Sequence, residues 1–122
     1  MRRSRGPRSV KTRPVSWVKA ALKDFRRFPD GAHAGCLTAL TIAAEGGKAD
    51  LVKPLQGLGS GVLEIALAFK GDAFRVVYAV QLSNEMWVVH ACQKKSTTCI
   101  QTPPREIELI RNRLKNLKEM LS

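Results

Sequence analysis

Three consecutive stretches with strand-like patterning, joined by short turns, constrain the fold of this chain most. In residues 63–69 large apolar side chains alternate with smaller or polar ones, residues 73–82 are nearly all apolar except Arg75, and residues 86–92 form a third strand. The connections at 70–72 and 83–85 are too short for a crossover helix. The pattern therefore predicts an antiparallel meander.

The flanking segments have helical spacing instead. Apolar residues at 17, 18, 21, 22, 25 and 28 form a stripe that Ser16 can cap and that ends at Pro29. A second helix begins near Asp30 or Gly31 and ends at the glycine pair 46–47. A hydroxyl and two prolines at 102–104 open a last helix with apolar residues at 107, 110, 114, 117 and 121. We predict an α+β fold: two helices, three or four antiparallel strands and a closing helix.

Charge indicates the class of partner. Lys and Arg outnumber Asp and Glu by 21 to 10 in 122 residues, a net charge of +11. This excess favours a polyanion, with nucleic acid or the ribosome first, although an anionic membrane surface would also be attracted. Residues 1–13 hold six positive charges and no acid, so we predict a basic flexible arm, RNA-binding or without a role, before a single domain at 14–122.

Several classes of protein are disfavoured. The chain has no apolar run near the roughly 20 residues that span a bilayer and no signal-peptide core, so a cytoplasmic protein is expected. Cys36, Cys92 and Cys99 are an odd, irregularly spaced set without CxxC, and His33 and His90 complete no zinc pattern. We expect reduced thiols and neither a metal nor a cofactor.

Arg75 is the first candidate for chemistry. By strand alternation it shares a face with Val77 and Ala79, where a guanidinium can bind phosphate through two hydrogen bonds. It could equally face solvent or pair with Glu64 on the neighbouring strand.

Further candidates are basic or polar residues near the strand ends. Lys94, Lys95 and Ser96 follow the third strand, where adjacent ammonium groups can stabilise a pentavalent phosphate. Lys53 precedes a glycine-rich loop that lacks the ending of a nucleotide-binding loop. His90 can act as a general acid or base, or it can be a core histidine, because alternation groups it with Met86 and Val88.

Four blocks of sequence, in order and at the right spacing, resemble HigB-like, phage-related toxins of the RelE/ParE superfamily. They read KPLQGLGSGVLE at 53–64, FRVVY at 74–78, HACQKKS at 90–96 and TPPREI at 102–107. With Pro14–Trp17 and Phe28-Pro29, the resemblance covers roughly residues 14–118. It implies two N-terminal helices packed on a small curved antiparallel sheet, with a C-terminal helix. It also implies a first strand at 14–18, so that the first helix begins near Lys19 or Ala20.

The resemblance implies the toxin of a type II toxin–antitoxin system, a metal-independent endoribonuclease that cleaves messenger RNA on the ribosome and inhibits translation. A cognate antitoxin, expected to be a helix-turn-helix DNA-binding protein, would silence it. By match to the family, Arg75 would stabilise the phosphorane, and Lys94 and Lys95 would hold phosphate or assist proton transfer. RNA-binding residues would be Lys53, Ser96, His90 and Glu64.

The sequence departs from the family pattern at several positions, and two other functions are compatible with it. Cys92 stands where the family has phenylalanine, Cys99 where glycine is common, and Gln101 and Pro104 replace cations. One rival is a ParE-like toxin that inhibits DNA gyrase without nuclease activity, and the other is a non-catalytic basic protein that binds RNA or the ribosome. The cations near the last strands favour RNA cleavage.

Overall fold

The computed structural model describes residues 12–82, 84–94 and 102–121. Within these ranges the chain forms β1 (Val15–Trp17), α1 (Lys19–Phe25), α2 (Asp30–Ala44), β2 (Val52–Pro54), β3 (Val62–Phe69), β4 (Asp72–Ala79), β5 (Met86–Lys94) and α3 (Pro104–Leu121). The predicted α+β fold is confirmed. The sheet has five strands rather than three or four, because β1 and β2 are too short, at three residues each, to show a period.

The strands lie in the order β1-β5-β4-β3-β2. Strands β3, β4 and β5 form the predicted antiparallel meander, and β1 pairs in parallel with β5, placing Val15 opposite Met86. The first helix begins at Lys19, as the family resemblance implied. A helix beginning at Trp17, as the apolar stripe alone indicated, is wrong because Trp17 pairs with Val88 in the sheet.

Apolar clusters cover both faces of the sheet. On one face, which we call the α1/α2 face, Phe25 and Cys36 pack with Phe74, Val76 and Tyr78 of β4. On the other, the α3 face, the cluster joins α3 to the sheet, and its members include Ile110, Leu114, Leu117, Val77, Ala79 and Val89. Strand β4 is therefore buried on both sides, which explains its nearly continuous apolar sequence.

Arg13 binds the segment before β1 to the rest of the domain through two hydrogen bonds. Its main-chain N–H donates to the carbonyl of Ala44 over 2.9 Å, and its Nη1 donates to the carbonyl of Val80 over 3.0 Å. Residues 1–11, most of the predicted basic arm, lie outside the described residues. No helix in the described ranges has both the length and the apolar character needed to cross a bilayer.

Candidate functional site

Strand pairing gathers most of the predicted site residues on the α3 face. Directly paired residues share a face of a sheet. One row across the sheet runs Lys53, Glu64, Val77 and His90, and the next runs Ala66, Arg75 and Cys92. Lys94 follows Cys92 by two positions on β5 and pairs with Ala73. Lys53, Glu64, Arg75, His90 and Lys94 therefore all belong to one face, together with Cys92.

A shift of register decides the face of His90. Tyr78 pairs with Val88 whereas Val77 pairs with His90, so Val89 is an extra residue of β5, as in a β-bulge. The expectation that His90 shares a face with Met86 and Val88 is wrong, because the bulge turns it to the α3 face. The carbonyl of Val89 accepts a hydrogen bond of 2.8 Å from Arg113 Nη1, which ties the bulge to helix α3.

Arg75 lies on the central strand and is almost fully buried, with 3% of its surface exposed. It is on the predicted face with Val77, opposite Phe74 and Val76. Its solvent-facing alternative is wrong, because the side chain is buried and α3 packs on the same face of the sheet. Its positive charge acts on the neighbouring Cys92 thiol, favouring the thiolate.

Glu64 is also buried, at 2% exposure, and accepts a hydrogen bond from the hydroxyl of Thr102. This contact joins β3 to the residues that open α3. Lys53, although paired with Glu64 in register, is exposed on the short edge strand β2. Lys53 is therefore at the edge of the α3 face, whereas Glu64 is buried within that face.

Glu106, in the first turn of α3, joins three residues of β5. Its Oε1 lies 3.1 Å from His90 Nε2 and 3.2 Å from Cys92 Sγ, and its Oε2 lies 2.5 Å from Lys94 Nζ. In the sequence Glu106 is part of the TPPREI block, and no role was predicted for it. An acid in the first turn of a helix is commonplace, since it complements the helix dipole, so no local signal distinguished it.

The pKa values of the cluster follow from burial and from these contacts. Burial lowers the pKa of His90, and the hydrogen bond that His90 Nε2 donates to Glu106 only partly opposes this effect, so the ring is neutral near pH 7. Burial and the hydrogen bond to Glu106 raise the pKa of Cys92 to about 12. Burial acts to raise the pKa of Glu106, but hydrogen bonds from Lys94, Cys92 and His90 outweigh it and lower that pKa. The carboxylate is therefore ionised between a neutral imidazole, a thiol and an ammonium.

The cluster borders a hollow beside Lys94 and Glu106. A hollow of about 490 Å³ is lined by Lys94, Pro103, Arg105, Glu106 and Leu109. The Lys94 side chain is one-third exposed there, whereas His90 and Arg75 lie deeper. Lys95 and Ser96, two further predicted site residues, lie outside the described residues, as does Cys99. A guanidinium, an ammonium, an imidazole and a carboxylate on one face can neutralise a phosphate and move a proton.

A five-stranded sheet with helices on both faces and cations on two adjacent strands defines a RelE-like α+β domain. The crystal structure of the isolated E. coli RelE toxin is similar, with a TM-score of 0.55 and 18% identity, covering 82% of this chain and 97% of that chain. A family model, the phage-derived Gp49-like proteins, matches residues 23–115, and the chain belongs to this family. No curated protein matches at a significant level.

These comparisons confirm the predicted RelE-like fold and the relationship to phage-derived proteins. The four sequence blocks that carried the resemblance, from residue 53 to residue 107, all lie inside the matched range. The narrower assignment to HigB-like toxins, and every role given to a site residue, stays a prediction.

Proposed function

We propose that this protein is the toxin of a type II toxin–antitoxin system and that it cleaves messenger RNA on the ribosome. The observation that carries the proposal is the placement of Arg75, His90 and Lys94 on one sheet face by strand pairing. Membership of the Gp49-like family and the fold shared with a RelE toxin support it. The net charge of +11 suits a polyanionic substrate and a ribosomal surface.

The reaction is attack of a ribose 2′-hydroxyl on its own 3′ phosphate. A bond forms between the 2′ oxygen and phosphorus, the bond from phosphorus to the 5′ oxygen breaks, and the products are a cyclic phosphate and a 5′-hydroxyl. Negative charge accumulates on the phosphorane oxygens. Arg75 offers two parallel N–H donors to these oxygens, and Lys94, with Lys95, adds positive charge and can protonate the departing 5′ oxygen.

His90 and Glu106 supply a route for the proton of the 2′-hydroxyl. A neutral imidazole can accept this proton, and the carboxylate 3.1 Å away stabilises the imidazolium that results. Glu106 therefore takes the positioning role that sequence reasoning left unassigned. Lys53 and Ser96 remain proposed RNA contacts, and Glu64 holds the start of α3 through Thr102.

Access differs between the two cations of the proposed site. The Lys94 side chain is one-third exposed, and its ammonium has three N–H donors, so it can bind a phosphate while it stays paired with Glu106. Arg75 is only 3% exposed, so a phosphate would reach its guanidinium only after the side chains over it move. We expect binding to the ribosome to provide this change.

The partners of the proposed function are the translating ribosome with its messenger RNA and a cognate antitoxin. We expect the antitoxin to be encoded next to this chain and to contain a helix-turn-helix domain. Co-expression should abolish growth arrest, and the two proteins should purify together. Full toxicity in the presence of every adjacent small gene product would contradict this part of the proposal.

Primer extension on messenger RNA after induction tests the activity. We expect sharp new 5′ ends inside the coding region of a reporter, and none in a matched reporter whose start codon is mutated so that it is not translated. Intact messages with loss of DNA supercoiling would favour the ParE-like gyrase inhibitor. Ribosome binding with intact messages and intact supercoiling would favour a non-catalytic adaptor.

A further inference from the structure

We propose that His90, Cys92 and Glu106 form a binding site for a divalent transition-metal ion of the zinc class. The Nε2, Sγ and carboxylate oxygen of these residues all lie within 4.8 Å of one another. This inference does not depend on the proposed nuclease function. No motif in the sequence reveals this cluster, because the three ligands come from a His-x-Cys pair on β5 and a glutamate of α3 that is 14 residues further along the chain.

Two of the three distances between the ligand atoms are close to those around a tetrahedral ion. With bonds of about 2.0–2.3 Å to nitrogen, oxygen and sulfur, the edges of such a tetrahedron are about 3.4 Å from nitrogen to oxygen and about 3.6 Å from sulfur to oxygen. The corresponding distances here are 3.1 Å from His90 Nε2 to Glu106 Oε1 and 3.2 Å from Cys92 Sγ to the same oxygen. The ion would fit if the Glu106 oxygen moved up to about 0.4 Å further from these two atoms, which a small side-chain rotation achieves.

The scaffold holds the three ligands in place. His90 and Cys92 are two positions apart on β5, and both are fixed by pairing with β4, to Val77 and Arg75. Helix α3 is fixed against the same face by Ile110, one turn after Glu106, which is fully buried. The ligands therefore sit on packed secondary structure rather than on a loop, an arrangement that lowers the entropic cost of binding.

The chemistry of the ligands selects the class of ion. A thiolate and an imidazole favour zinc, cobalt and similar metals over magnesium or calcium. Binding of the ion releases the thiol proton of Cys92 to solvent. The resulting thiolate and the Glu106 carboxylate together carry two negative charges, which balance a divalent ion. We expect a water as the fourth ligand, as in open zinc sites, and the hollow beside Glu106 brings solvent to the carboxylate. The neighbouring charges of Arg75 and Lys94 oppose the ion, so binding should be weaker than at a closed structural zinc site.

Cobalt(II) is the probe for the site, because its absorption reports both geometry and thiolate ligation. The full chain, free of any polyhistidine tag, is titrated with Co²⁺ without oxygen and in a non-chelating reductant. We expect visible bands of a tetrahedral ion and a near-ultraviolet thiolate band that saturate at one ion per chain. Added Zn²⁺ should abolish both. The absence of these bands in the unaltered protein would overturn the proposal.

Two cysteines provide a matched pair of variants. Cys92→Ser should remove the thiolate band and weaken Co²⁺ binding at least tenfold, whereas Cys36→Ser, in the cluster on the α1/α2 face, should leave both unchanged. Glu106→Gln, which keeps both ligands on β5, should weaken binding at least tenfold as well and serves if Cys92→Ser does not fold by circular dichroism. A thiolate band that persists in Cys92→Ser, or unweakened binding by Glu106→Gln, would contradict the assignment. RNA cleavage is not measured, so failure of the nuclease proposal would leave this result intact.

Discussion

Arg113 donates a hydrogen bond from Nη1 to the carbonyl oxygen of Val89 over 2.8 Å, and Val89 is the residue that β4 leaves without a partner. Helix α3, which packs on this face of the sheet, thus stabilises the β-bulge of β5. The consequence reaches the candidate site, because the register beyond Val89 sets the face of His90 and Cys92. A residue of the last helix therefore helps to decide which side chains meet Arg75.

Replacing Arg113 by methionine, which keeps the apolar stem and removes the donor, should destabilise the fold. Loss of a hydrogen bond from a charged donor to a partly buried carbonyl costs about 1–3 kcal/mol. Urea denaturation measures the change in the free energy of unfolding. Lys115→Met, on an exposed position of the same helix, is the control and should change it by less than about 0.5 kcal/mol. Equal effects of the two substitutions would show that the bulge does not depend on Arg113.

Arg75→Ala should abolish growth arrest on expression without antitoxin, because the proposed phosphorane loses its bidentate donor. Arg75→Lys should also lose most activity, since an ammonium cannot provide two parallel hydrogen bonds. The readouts are colony formation after induction and the yield of new messenger 5′ ends. Arg26→Ala, which removes the same charge from an exposed position after α1, should remain fully toxic. A toxic Arg75→Ala variant would exclude Arg75 from the site.

Glu106→Gln should destabilise the protein by about 1–3 kcal/mol, because three contacts from β5 lose their charged acceptor. Glu108→Gln provides the control two residues away. Its carboxylate is mostly exposed and pairs with Arg111 on the same helix, so its removal should cost no more than about 0.5 kcal/mol. Chemical denaturation in a metal-free buffer compares them. If both variants were equally stable, Glu106 would be a surface acid without a structural role.

Ile110→Ala tests the attachment of α3 to the sheet. Ile110 is fully buried in the cluster with Val77 and Val89, so its truncation should cost about 2–5 kcal/mol. The adjacent Leu109 is 40% exposed, and Leu109→Ala should cost less than about 1 kcal/mol. Thermal unfolding monitored by circular dichroism gives the two midpoints. A similar loss at both positions would contradict the described orientation of the helix.

The buried Cys36 should make stability depend on pH in the alkaline range. Burial raises the pKa of this thiol from 9.0 to about 11. The folded protein therefore holds the proton more tightly than the unfolded chain, and this contribution is complete below pH 9 and is lost as pH rises to about 11. The free energy of unfolding should fall more steeply there than in Cys36→Ala, by up to about 2–3 kcal/mol. Parallel curves for the two proteins would refute the assignment.

Local sequence was enough to predict the main elements of this fold. Turns at 70–72 and 83–85 allow only antiparallel neighbours, and the period of β3 differs visibly from that of α3. The face of Arg75 also followed from simple alternation, because β4 is regular from Ala73 to Val77. These features depend on short-range sterics and on the spacing of apolar residues, both of which can be read from neighbouring positions.

Contacts between distant residues decided the rest. Alternation fails for His90 because a bulge adds one residue, Val89, to β5. The carbonyl of Val89 accepts a hydrogen bond from Arg113, 24 residues further along the chain. Glu106 looks like an ordinary first-turn acid until packing of α3 carries it to His90, Cys92 and Lys94. Sequence thus determined which chemical groups are available and that β3, β4 and β5 are neighbours. Tertiary packing determined which groups touch, since α3 and β5 meet only when the helix packs on the sheet.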